Sequence, residues 1–264
     1  MPDDHSGVGR AVDTGRGGWL STAARERLDR PFAPPQPVPD LTDTAAVAAW
    51  RQRIHAGWLH GDPGPSDCGH RPDVLAGVRV LRTDQGPAAT DPVVLYVHGG
   101  GYALGSPEVA LPITTRLAGV EPTGARAGPD VVSVDHRLAP EHPHPAAVDD
   151  VLAVYRALRT EQPPRPIAMA GDSAGANVAL AATLAMADGS PSDRPIAVVL
   201  LSPHLDLADD AGLPPVDDPS RDLRPADARR LQAAYRGRLP PIDPAVSPLR
   251  ASADQLASLP PVLI

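Results

Sequence analysis

The 264-residue chain has no lysine, one cysteine and one phenylalanine. All 24 basic residues are therefore arginine, and with 34 prolines this reads as the coding bias of a GC-rich genome rather than an adaptation to a ligand. The arginines are dispersed within a formal net charge of −8, which argues against a nucleic-acid face. Cys68 has no second cysteine to pair with, so no intrachain disulfide is available and a reducing, cytoplasmic setting is the simpler expectation. The Cys and His spacing fits no zinc site, and neither a metal nor an organic cofactor is expected. No apolar run approaches the roughly 20 residues of a membrane-spanning helix, so no membrane insertion is expected. The opening Met1-Pro2-Asp3-Asp4-His5 is acidic and lacks the hydrophobic stretch of a signal peptide. One further absence bears on chemistry: no histidine follows His204.

What the chain does contain is His98-Gly99-Gly100-Gly101 and, further on, Gly171-Asp172-Ser173-Ala174-Gly175. Gly-x-Ser-x-Gly alone is a weak signal, expected by chance about 0.1 times in a chain of this composition. The order and setting strengthen it. Each motif follows a short apolar run, Val93–Val97 or Ile167–Ala170, and the spacing leaves room for two strand–helix units. A serine in such a turn sits on a sharp strand-to-helix bend with its oxygen exposed, while a preceding glycine loop offers backbone N–H groups to a developing oxyanion.

The surrounding pattern predicts an α/β fold with a mostly parallel sheet covered by helices on both faces. Helices are expected over 43–59, 107–118, 145–160, 174–187 and 226–236, with Asp43 or Thr42 capping the first. Strands are expected over 78–81, 93–97, 131–134, 167–170 and 196–201, and one begins at 261. Residues 61–73 read as loop, and residues 1–40 as a partly ordered arm. The expected division is an arm and cap helix over 1–75, followed by a core over 76–264.

Three blocks carry a resemblance to the hormone-sensitive-lipase-like branch of the α/β hydrolases. They are His98-Gly99-Gly100-Gly101-Tyr102, Asp135-His136-Arg137-Leu138-Ala139-Pro140-Glu141-His142-Pro143 and Gly171-Asp172-Ser173-Ala174-Gly175. His136 stands where that branch usually carries Tyr. The resemblance implies an α/β-hydrolase fold with a small N-terminal helical cap, and a serine-dependent carboxylic ester hydrolase acting on a small-molecule ester. It implies Ser173 as nucleophile and the backbone N–H groups of Gly100, Gly101 and Ala174 as oxyanion donors. The alternative is a non-catalytic small-molecule binder, or an inactive fragment, on the same scaffold.

Several residues also have blander readings. His98 is expected to hold the glycine loop rather than act as base, because in this architecture the base follows the serine. Arg137 and Glu141 are expected to pair with each other and fix the loop beneath the site, and Asp172 to bond within the elbow. Trp50, Ile54 and Trp58 are expected to pack the cap. His204, near Asp206, is the only histidine after Ser173, but two residues in one loop have no assured base–acid geometry. Related sequences continue past the strand at 261–264 to an Asp and a His. The expectation is that those last strands, about two strand–helix units, are missing here.

Overall fold

Val93, Leu95 and Val97 enter one hydrophobic core, while Val94 and Tyr96, between them, enter another. That period of two is the signature of a strand buried on both faces. It places this segment at the centre of the computed structural model, which describes residues 37–59, 68–84, 92–119, 128–187, 189–208 and 224–264. All of these except Arg224 belong to one structural unit.

The strands are β1 (Gly69–Leu75), β2 (Val78–Asp84), β3 (Val93–Val97), β4 (Asp130–Val134), β5 (Ile167–Asp172), β6 (Val198–Leu201) and β7 (Val262–Leu263). Their spatial order is β1-β2-β4-β3-β5-β6-β7. β1 and β2 pair antiparallel, and β2 joins β4 antiparallel; every other pairing is parallel. The expected parallel sheet is therefore present, with an antiparallel hairpin on one flank.

The helices are α1 (Thr44–Trp58), α2 (Leu111–Ala118), α3 (Ala146–Arg159), α4 (Ser173–Leu184), α5 (Pro225–Arg236) and α6 (Ala253–Ala257). The Asp43 side chain caps α1 by accepting from the Ala46 N–H at 3.0 Å, which settles the choice between Asp43 and Thr42. α2 packs with Tyr96, Val131 and Ala170 on one face of the sheet. α3 and α4 pack with Leu95, Val132 and Met169 on the other. Every residue of α4 from Ala174 to Leu184 is buried, as its run of small apolar residues with no polar face requires. Burying one Leu or Val side chain of this core contributes about 1.5–3 kcal/mol.

The structure corrects three expectations about elements. Residues 69–73, read as loop, form most of β1, an exposed flanking strand whose Pro72 and scant apolar alternation conceal it. α2 begins at Leu111 rather than 107, because residues 107–110 form turns ahead of Pro112. α6 was not foreseen, although Ser252 and Gln255 form a capping box whose spacing is visible in the sequence. Residues 1–36 of the expected arm over 1–40, and residues 61–67 of the expected loop over 61–73, lie outside the described residues, as does the segment 209–223. Among the described residues, no helix is long and apolar enough to cross a membrane.

The strand order reverses at β3: the chain leaves β3 for β4 on one side and returns to β5 on the other. At such a reversal the carboxyl ends of neighbouring strands open a crevice where α/β sheets place ligands. β3 ends into His98 and β5 ends into Ser173, with Val97 paired to Gly171. Both motifs thus leave the sheet at the same level and side by side.

Candidate active site

β5 ends at Asp172 and α4 begins at Ser173, with no residue between them. Ser173 absorbs the change of direction with φ +50°, a left-handed conformation costing a non-glycine residue about 1–2 kcal/mol. Its side chain is exposed, and its hydroxyl makes no hydrogen bond among the described residues. Gly175 lets this bend sit against β3, because a Cβ there would lie 2.2 Å from the Val97 carbonyl oxygen.

The glycine loop is built to expose main chain. Gly100 has φ +122°, and a Cβ on it would lie 2.3 Å from the Leu104 carbonyl oxygen. The Gly100 carbonyl accepts from the N–H groups of Ala103 and Leu104, which closes the turn. The N–H groups of Gly100 and Gly101 have no acceptor among the described residues. The Ala174 N–H lies in the first turn of α4, where helical geometry leaves donors without intrahelical partners. Donors of this kind, next to an exposed serine oxygen, can stabilise negative charge on a reacting carbonyl.

His98 is buried at the base of the loop, with Nδ1 2.9 Å from the Gly99 carbonyl oxygen. A carbonyl only accepts, so this contact puts the imidazole proton on Nδ1. Nε2 then carries a buried lone pair with no partner. The ring stacks on His136 at a centroid separation of 4.3 Å, and the His136 Nε2 faces the His98 carbonyl at 3.4 Å. Burial holds His98 well below its ordinary pKa and lowers that of His136, so both are neutral supports.

Asp172 departs from the expectation that it bonds within the elbow. Its side chain makes no capping bond to α4; instead Oδ1 accepts from the Tyr96 hydroxyl at 2.7 Å and from the Gly99 N–H at 2.8 Å. The residue before the serine is thereby fastened to the first residue of the glycine loop. Burial, with Asp172 beside it, pushes the Tyr96 hydroxyl far above its ordinary pKa, so it stays a donor.

The block over 135–143 clamps the structure, but with partners other than those expected. Arg137 forks onto Asp150 of α3, with its closest contact at 2.8 Å, rather than onto Glu141. Glu141 takes Arg51 of α1, at 2.7 Å to each carboxylate oxygen. The turn at 137–142 sends these two side chains to different helices, so they cannot meet each other. Asp135 pairs with Arg79, which also binds Glu108 and brings its carboxyl down to about 2.

Arg51 is the main residue that sequence reasoning missed. It also donates to the carbonyls of Ala103 and Ala139, each at 2.7 Å. His55, one turn further on, accepts the Gly105 N–H on Nε2 at 2.9 Å. α1 is thus stitched to the turn that follows the glycine loop. Of the three expected cap-packing residues, Trp50 is buried and Ile54 partly buried, whereas Trp58 is 42% exposed.

His204 and Asp206 do not form a base–acid pair. The His204 ring lies between the Tyr102 hydroxyl, 3.4 Å from Nδ1, and the Gln232 amide, 3.3 Å from Nε2. Arg250 grips both oxygens of Asp206, each at 2.9 Å. The backbone N–H of His204 reaches the Ser173 carbonyl oxygen at 3.2 Å. Below it the fully buried Asn177 of α4 donates from Nδ2 to the carbonyls of His204 and Val246, each at 2.9 Å. Among the described residues, no group of three His, Cys, Asp or Glu side chains is placed to hold a metal ion.

Residues 94–264 match the family model described as the alpha/beta hydrolase fold. An acetyl-hydrolase of Streptomyces hygroscopicus is 41% identical over 175 residues, which is 65% of this chain and 54% of that protein. An esterase of Acinetobacter venetianus (strain RAG-1) is 37% identical over 199 residues, 74% of this chain and 61% of that protein. The chain therefore spans between half and two thirds of the length of these curated relatives. Among solved structures, a hormone-sensitive lipase from a metagenome library superposes with a TM-score of 0.67 and 31% identity. That match covers 86% of this chain and 71% of the other. The blocks at 98–102 and 171–175, the order of the strands and these relatives converge: the chain belongs to the α/β-hydrolase fold family, in its hormone-sensitive-lipase-like branch.

Proposed function

We propose that this chain carries the nucleophile and oxyanion site of a carboxylic ester hydrolase. The observation that carries the reading is the exposed Ser173 hydroxyl on a strained strand–helix junction, beside a glycine loop with two N–H groups; among the described residues none of these has a hydrogen-bond partner. The acetyl-hydrolase and esterase names of the relatives favour an enzyme over a non-catalytic binder.

In this reading the Ser173 oxygen adds to the ester carbonyl carbon while its proton passes to a base. The carbonyl oxygen gains the negative charge and is held by the N–H groups of Gly100, Gly101 and Ala174. Collapse expels the alkoxide, which leaves as the alcohol with that proton, and water then releases the acid from the acyl-serine. His98 orients the loop through Gly99. The base and its acid follow the serine in this fold. With the His204 ring held by Tyr102 and Gln232, and Asp206 by Arg250, we assign neither role to a described residue.

Labelling with a fluorophosphonate, followed by peptide mapping, tests the nucleophile. Modification at Ser173, lost in Ser173→Ala, is the expected result. A label on another residue, or none under conditions that label an active relative, would remove the basis of the proposal.

A further inference from the structure

Beside the glycine loop lies a cavity of about 180 Å³. Trp58, Val109 and Ile113 give it apolar walls, and His98, Gly99 and Asp172 line its polar side. Gly100, whose N–H is one of the proposed oxyanion donors, also lines it, while Ser173 and Ala174 do not, so the cavity adjoins the proposed reaction centre through the glycine loop.

Its charge is of one sign. Asp172 is the only charged residue in the wall, and no cationic side chain pairs with it among the described residues. Oδ1 already accepts two hydrogen bonds, whereas Oδ2, which lies against Gly99, accepts none among the described residues. A carboxylate oxygen without a donor, in a wall with no cation, calls for a ligand that brings N–H donors and positive charge. Trp58 adds an indole, the aromatic surface that cations prefer. The aliphatic walls call for a short alkyl chain on the same molecule.

We propose that this cavity binds a small alkylammonium group, one carried by the ester that Ser173 attacks or by its product. Asp172 supplies the counter-charge, Trp58 the aromatic wall, and Val109 with Ile113 the alkyl contact. The word "ester" rests on the proposed function; the preference for an N–H-bearing cation rests on the cavity alone.

The test is an NMR titration of the full 264-residue chain that follows the Trp58 indole N–H, assigned through Trp58→Phe. The probes are butylammonium chloride and butan-1-ol, which share a chain and differ in charge and donor number. The expected result is that butylammonium binds about tenfold more tightly than the alcohol. Asp172→Asn keeps the oxygen that holds Gly99 and Tyr96, so the fold stays intact, and it should bring the ratio close to one. Val109→Trp, which fills the cavity and leaves Asp172 in place, should abolish binding of both probes. Equal affinity for the two probes, binding of neither, or a cation preference that survives Asp172→Asn would each overturn the proposal. Because binding is read without turnover, failure here leaves Ser173 labelling untouched, and failure of labelling leaves the cation preference standing.

Discussion

The backbone N–H of His204 donates to the carbonyl oxygen of Ser173 at 3.2 Å, so the one histidine that follows the serine is joined to it by main chain and not by imidazole. The ring is turned toward Tyr102 and Gln232. His204→Phe should therefore change the rate of fluorophosphonate labelling at Ser173 by less than about threefold, since removing a true general base typically lowers rates by about 10²–10⁴. A loss of that larger size would return His204 to the role of base.

Ser173 holds its left-handed conformation at the expense of stability. Ser173→Gly should remove both the reactivity and the strain, stabilising the chain by about 1 kcal/mol. For a domain of this size that is a rise of about 2–4 °C in Tm. Ser173→Ala should lose the reactivity with no such rise. Calorimetry of the two variants separates these outcomes, and equal Tm values would show that the bend is not strained.

Arg51 ties α1 to Ala103, Ala139 and Glu141 from a half-buried position. Arg51→Ala should destabilise the chain by about 2 kcal/mol in urea denaturation. It should also speed hydrogen exchange at the Gly105 amide, whose acceptor, His55, rides on the same helix. Arg51→Lys should recover less than half of the loss, because an ammonium cannot fork onto a carboxylate and two carbonyls. Full recovery by Lys would mean that charge alone matters here.

Stability should fall on mild acidification. Burial lowers the pKa of His98, His136 and His55 in the folded state, so the unfolded chain takes up protons first as pH drops below about 6.5. The stabilisation is complete above that pH and is lost progressively as pH falls toward the depressed folded values. Urea denaturation between pH 7.5 and 5.5 should show the decline, well above the range in which carboxylates titrate. His136→Tyr, which installs the residue that this branch usually carries, should flatten it. An unchanged slope in that variant would exclude His136 as a source.

Features that depend on neighbours in sequence were legible from the chain alone. The bend at Ser173, the tight loop at Gly100 and the cap at Asp43 each need a few adjacent residues, and each is present. The parallel sheet was legible because β3 and β5 are apolar on both faces. Features that depend on distant partners were not. Arg137 and Glu141 are four residues apart, and their proximity in sequence suggested a pair. Their actual partners, Asp150 and Arg51, lie 13 and 90 residues away, and no local pattern marks them. Asp172 escaped for the same reason, because its hydrogen bonds cross from β5 to β3 and the loop. β1 escaped because an exposed strand needs no apolar alternation to be held by a hairpin partner.

Asn177 joins distant parts of the chain to the helix that bears Ser173. One amide nitrogen holds two carbonyls, at His204 and Val246, that are 42 residues apart in the chain. Between those anchors runs α5, whose Tyr235 stacks on Tyr102 of the glycine-loop block and whose Gln232 meets the His204 ring. A single buried side chain thus fastens both ends of the excursion that delivers α5 to the glycine loop, so a change at Asn177 would be felt there although no hydrogen bond joins the two among the described residues.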